Sequence, residues 1–148
     1  MSGPIYIVLA LVAGAALAVQ AAINARLSLA TGHPLTAGVI SFAVGLLCLL
    51  AGVVVLRIRI PAMNALGALP AWAWAGGVLG AVYIALAILV VPKLGTAALV
   101  AFVVAGQMAA SLALDHFGAF GLAEQSINLW RILCALLLTA GVVLIITF

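Results

Sequence analysis

Three sets of side chains in this sequence are spaced so that they can act together. Gln20, Asn24 and Ser28 recur every fourth residue, as do Gln107, Ser111 and Asp115, so each trio shares one face of a helix. Gly76 and Gly80 make a small-xxx-small face with Tyr83 three residues further on. The chemistry on offer is hydrogen bonding by neutral amides, hydroxyls and a phenol, with one carboxylate closing the second trio. Bond-making chemistry is absent from the pattern: two His, two Cys and two acids occur without metal-ligand spacing or a nucleophile–base pair. There is no glycine-rich phosphate loop either. The reading is therefore a protein that is not an enzyme and takes no metal or cofactor.

The elements that must position these groups follow from composition. Of 148 residues, 70% are hydrophobic and 5% charged, whereas a soluble domain carries about 25% charged residues. The seven charged side chains cannot wet the surface of such a chain, so its solvent is lipid. A span needs about 20 apolar residues to cross about 30 Å of hydrocarbon at 1.5 Å per residue. Five segments qualify, at about residues 5–29, 35–56, 71–91, 95–114 and 129–148. Helix-breaking or polar turns separate them: Thr31-Gly32-His33-Pro34, then Arg57 to Pro70 with Asn64 and Gly67, then Pro92-Lys93-Leu94-Gly95, then Asp115 to Asn128. The runs are too long for strands and show no period-two alternation. The expected fold is all-α, one transmembrane domain over 1–148. The start Met1-Ser2-Gly3-Pro4 lacks a positive n-region, and the apolar run continues past Ala16-Leu17-Ala18, so no cleaved signal peptide is expected.

The remaining composition excludes other classes. Arg26, Arg57, Arg59, Lys93 and Arg131 are scattered, with no cluster that could follow a phosphate backbone, so nucleic acid is not a partner. Cys48 and Cys134 fall inside apolar runs and read as buried thiols rather than a disulfide framework. With five spans the termini lie on opposite sides. The N-terminal side holds Arg57, Arg59 and Arg131, the other Arg26 and Lys93, an excess of one cation. Orientation follows the Lys and Arg excess in cytoplasmic loops, so this is a weak instruction. Tyr6, Trp72, Trp74 and Trp130 all fall on the N-terminal side. A partner inserted upside down would supply the missing belt on the other face, although four aromatics are few to read.

Depth relates the trios. Gln20 lies about 5 Å beyond the centre of the first span, and Tyr83 and Gln107 within about 3 to 4 Å of theirs. Polar groups inside spans are costly unless paired, and transporter sites gather at the midplane. Two readings stand: a substrate site, or an interhelical clasp in which amides join helices without a ligand. Small Ala13 and Ala16 continue the Gln20 face, and Gly76 and Gly80 are expected to pack closely against a neighbouring helix. Asp115 has two readings as well: a proton or cation relay helped by His116, or a cap for the Asp115-His116-Phe117-Gly118 turn, which we favour. Arg26 is expected to snorkel to the interface and Glu124 to sit in a wet loop.

These same residues carry a family resemblance. The stretches Gln20-Ala21-Ala22-Ile23-Asn24-Ala25, Gly76-Gly77-Val78-Leu79-Gly80-Ala81, Pro92-Lys93-Leu94-Gly95, Gly106-Gln107, and Asp115-His116-Phe117-Gly118 with Gly121 resemble the YdcZ-type half-size family of the drug/metabolite transporter superfamily. The resemblance covers essentially the whole chain, with its patches in order. It implies a bacterial inner-membrane protein of five spans, working as an antiparallel pair. Members occur as single dual-topology proteins, as paired genes of opposed orientation, and as fused ten-span chains. The small multidrug-resistance relatives carry a glutamate in the first span; Gln20 and Asn24 stand there instead, which argues against exchange of cationic drugs by their mechanism.

Together these readings make a transporter of small organic molecules, working by alternating access as an antiparallel homodimer, or as a heterodimer with a paralogue. Gln20, Asn24, Tyr83 and Gln107 are its expected binding residues and Asp115 its coupling residue. A neutral, amide-lined site suits hydrogen-bonding substrates, zwitterions or weak cations. The alternative is a non-transporting membrane scaffold or accessory subunit of a larger complex.

Overall fold

The computed structural model describes residues 3–61, 67, 69–121 and 123–148; Met1, Ser2 and Asn64 lie outside the described residues. Among the latter are five helices long and apolar enough to cross a membrane, and no strand. Each helix coincides with one apolar run of the sequence.

The local chemistry of each turn explains where the helices begin and end. Helix α1 (Pro4–Thr31) opens on a proline, whose missing N–H is no loss in a first turn. It closes at Gly32, where φ is +77°, a left-handed geometry that favours glycine. His33 then caps α2 (Pro34–Val55): its Nδ1 accepts the Leu35 N–H at 3.2 Å, and Pro34 again takes the first helical position. Helix α2 ends in a left-handed turn at Arg57 (φ +52°), with the Ile58 N–H donating to Val53 O at 3.0 Å. A 3-10 turn, Ala71–Trp74, leads into α3 (Ala75–Leu94). This helix runs through Pro92, past the expected stop before it. So near the C-terminus a proline removes only a late backbone bond. Gly95 (φ +82°) separates α3 from α4 (Thr96–His116). A short 3-10 turn at Ala119–Gly121 precedes α5 (Leu129–Thr147), whose N-cap Asn128 accepts the Arg131 N–H at 2.9 Å.

The chain divides into two compact units, Met1–Lys93 and Leu94–Phe148. In the first, α1 and α2 form a helical hairpin, and α3 packs on α2. Gly38 faces Ile84, and four residues on Phe42 faces Gly80, four residues back along α3. That pattern is an antiparallel register. Ala37, wholly buried, packs with Ile84 and Ile88, and Leu27 of α1 covers them. In the second unit α4 and α5 form the other hairpin.

Large apolar side chains are exposed on every helix, among them Leu49, Val55, Leu79, Phe102 and Leu136. A soluble monomer does not present apolar patches on this scale; a lipid-facing surface does. Cys48 and Cys134 belong to this surface, which corrects the expectation of buried thiols. In lipid an apolar thiol has no reason to turn inward.

Candidate functional site

On α1, in the first unit, the i, i+4 spacing gives three quite different environments. Asn24 is 2% exposed, between the buried Ala21 and Ala25. Its Nδ2 is buried and has no hydrogen-bond partner. A buried amide left without an acceptor costs about 1–3 kcal/mol, so this one calls for an explanation beyond packing. Ser28, one turn on, is half-buried. Gln20, one turn back, is exposed and lines a groove of about 320 Å³ with Ser41, Phe42, Gly45, Leu46, Leu49 and Ile84.

A second cavity in this unit, of about 570 Å³, lies between α2 and α3. Leu35, Gly38, Val39 and Phe42 line it from α2, and Gly77, Ala81, Ile84 and Ala85 from α3. Its wall is almost wholly apolar. Both volumes fall in the range of small-molecule sites, about 300–1,000 Å³. Sequence reading missed this cavity, although the glycines at 38 and 77 were its signal: side chains are missing there on facing helices. Tyr83 is half-buried on α3 beside the cavity-lining Ile84. Gly80 approaches the Phe42 ring, where an added Cβ would sit 3.6 Å from the ring edge; Gly76 has open space around it. Ala13 and Ala16 are exposed on α1.

In the second unit the polar face of α4 ends in an ion pair. Gln107 is exposed, and Ser111 donates to Met108 O of its own helix at 3.0 Å. Asp115 Oδ2 lies 3.2 Å from Arg131 Nη1, in the first turn of α5. Arg131 also donates from Nη1 to Gln125 O at 3.3 Å and from Nη2 to Gln125 Oε1. The Asp115 carbonyl accepts the Gln125 N–H at 2.8 Å and the Gly118 N–H at 3.3 Å. His116 Nδ1 accepts the Ile127 N–H at 3.4 Å. The connection between α4 and α5 is thus tied back at both ends. Met108, Ser111, Leu112, Asp115, Asn128, Trp130, Arg131 and Cys134 line a groove of about 360 Å³ here.

Arg131 and Gln125 escaped the sequence reading. One signal was present: a cation in the first turn of a helix opposes the macrodipole, so Arg131 needed an anion from elsewhere, and the chain holds only two acids. The other, Glu124, is exposed in the loop, and Arg26 and Lys93 are exposed near the ends of their spans. Among the described residues no group of three His, Cys, Asp or Glu side chains converges.

Residues 5–144 match the family described as "Putative inner membrane exporter, YdcZ", of the drug/metabolite transporter class. No curated protein and no solved structure matches the chain.

Proposed function

Because the chain belongs to the YdcZ family, a family of inner-membrane exporters matched over nearly its whole length, we propose that it moves small hydrogen-bonding organic molecules across the membrane by alternating access, as an antiparallel homodimer. The family's description and the five helices long and apolar enough to cross a membrane among the described residues make it a multi-pass protein of the inner membrane. Five spans make half of the inverted-repeat machine that rocks around a central site in many transporters, and a second copy in opposite orientation supplies the other half.

The observation that carries the site is the buried, unpartnered Nδ2 of Asn24. A donor held dry without an acceptor is stored affinity for a ligand that brings one. Gln20, on the same face of α1 and open to a groove, is the second binding amide. Tyr83, by its depth along α3, is the third binding residue of this unit, and Gln107, by its depth along α4, is the binding residue of the second unit. Gly80 packs helices within the chain; Gly76, with open space around it, is a place for close approach by the second copy. Asp115 is the coupling residue in this reading, its ion pair with Arg131 made and broken as the bundle alternates.

Efflux from proteoliposomes tests this. Wild-type protein is expected to empty vesicles loaded with a metabolite mixture of some of its neutral or zwitterionic components, and Asn24→Leu to abolish the loss. Retention of every component by wild-type vesicles, with the protein folded, would make the chain a scaffold or accessory subunit.

A further inference from the structure

The groove at Gln20 and the apolar cavity between α2 and α3 are not separate features. Phe42 and Ile84 line both. Along the first unit, then, an amide and a hydroxyl, Gln20 and Ser41, stand on one side of that shared wall. On the other is a hollow about 1.8 times as large, walled by glycine, alanine and branched aliphatic side chains. The larger volume offers a ligand no hydrogen bond, so it can hold only a hydrocarbon portion. The polar demand of the unit is concentrated on α1, where Asn24 Nδ2 lacks an acceptor one turn from Gln20.

We propose that the transported molecule is an amphiphile: an uncharged or zwitterionic head with a hydrogen-bond acceptor meets the amides of α1, while an alkyl or aryl body lodges between α2 and α3. This rests on the site proposed above and narrows its substrate class. Purely polar solutes leave the cavity empty, and simple hydrocarbons leave the Gln20 amide unanswered. Charge is not asked for, because neither volume is lined by an ionisable side chain.

The test compares acetamide, hexanamide and 3-phenylpropanamide, which share one head, binding to the protein in lipid nanodiscs, followed by saturation-transfer NMR. Lipid takes up each probe equally around wild type and variant, so the ratio between proteins isolates the cavity. Gly77 has open space where a side chain would go, so Gly77→Phe fills the cavity without forcing the backbone; Ala81→Leu on the same wall serves if that variant fails to fold. Either should weaken hexanamide and 3-phenylpropanamide about tenfold, a typical discrimination for apolar pocket filling, and leave acetamide unchanged. Gln20→Leu should weaken all three alike.

Equal effects of the filling variant on all three probes, or none on any, would overturn the amphiphile inference; if Gln20→Leu still weakens binding, the α1 site itself survives. Failure of both variants to change binding, or no binding by hexanamide, overturns the inference and the α1 site together. Loss of a co-purifying phospholipid, or of the dimer, from Gly77→Phe with amide binding intact would assign the cavity to lipid or to the second copy, and equally overturn it.

Discussion

Arg131 Nη1 and Asp115 Oδ2 meet at 3.2 Å, joining the first turn of α5 to the last turn of α4. Each charge stands at the unfavourable end of its own helix: an anion at a C-terminus, a cation at an N-terminus. Pairing cancels both penalties at once and ties the loop between them. It also answers the question of the turn cap: the carboxylate faces α5, and the backbone carbonyl of Asp115 takes the loop's N–H groups.

Arg131→Leu should therefore lower the melting temperature of the purified protein more than Asp115→Asn does. The first leaves a carboxylate uncompensated at a helix C-terminus and frees Gln125, whereas the amide introduced by Asp115→Asn still offers an acceptor. For a pair this exposed the expected loss for Asp115→Asn is about 1 kcal/mol or less. Equal melting temperatures for the two variants would mean that the pair does not hold the loop.

Coupling is tested by the same Asp115→Asn variant, which can accept a hydrogen bond but cannot titrate. Transport should lose the wild-type dependence on pH. If rate and pH dependence are both retained, Asp115 serves structure alone.

Asn24→Leu should separate stability from function. Leucine is close in shape and removes the unpartnered donor, so the fold is expected to gain about 1–3 kcal/mol. Transport should fall to background in the same protein. A lower melting temperature instead would show that Asn24 is a clasp whose partner the second copy provides.

Gln107→Leu should abolish ligand binding and leave the fold intact, since an apolar side chain is cheap in lipid. Binding retained with the dimer lost, read by native mass spectrometry, would make Gln107 a clasp between helices.

Insertion of two lysines beside Lys93 should bias the chain toward one orientation, with that loop cytoplasmic, because the native excess is a single cation. A topology reporter on the unmodified protein should find both orientations. One fixed orientation would remove the antiparallel homodimer.

How much was legible divides along a physical line. Spans are local: each depends on the length and apolarity of one continuous segment and on the breakers at its ends, so Gly32, Pro34 and Gly95 could be read as boundaries directly. Family membership, carried by short patches such as Gln20 to Ala25 and Gly76 to Ala81, was readable for the same reason. Which face of a helix turns inward was not. In water, burial of apolar surface separates inside from outside; in lipid that drive between helices is missing, and the apolar residues here run all round each helix. Hence Cys48 and Cys134 could be exposed, and Gln20 and Asn24, one turn apart on one face, could differ so widely in burial. The Asp115–Arg131 pair and the cavity shared by Phe42 and Ile84 belong to the same category. They join positions 16 and 42 residues apart, and only the packed hairpin and the α2–α3 register bring those positions together.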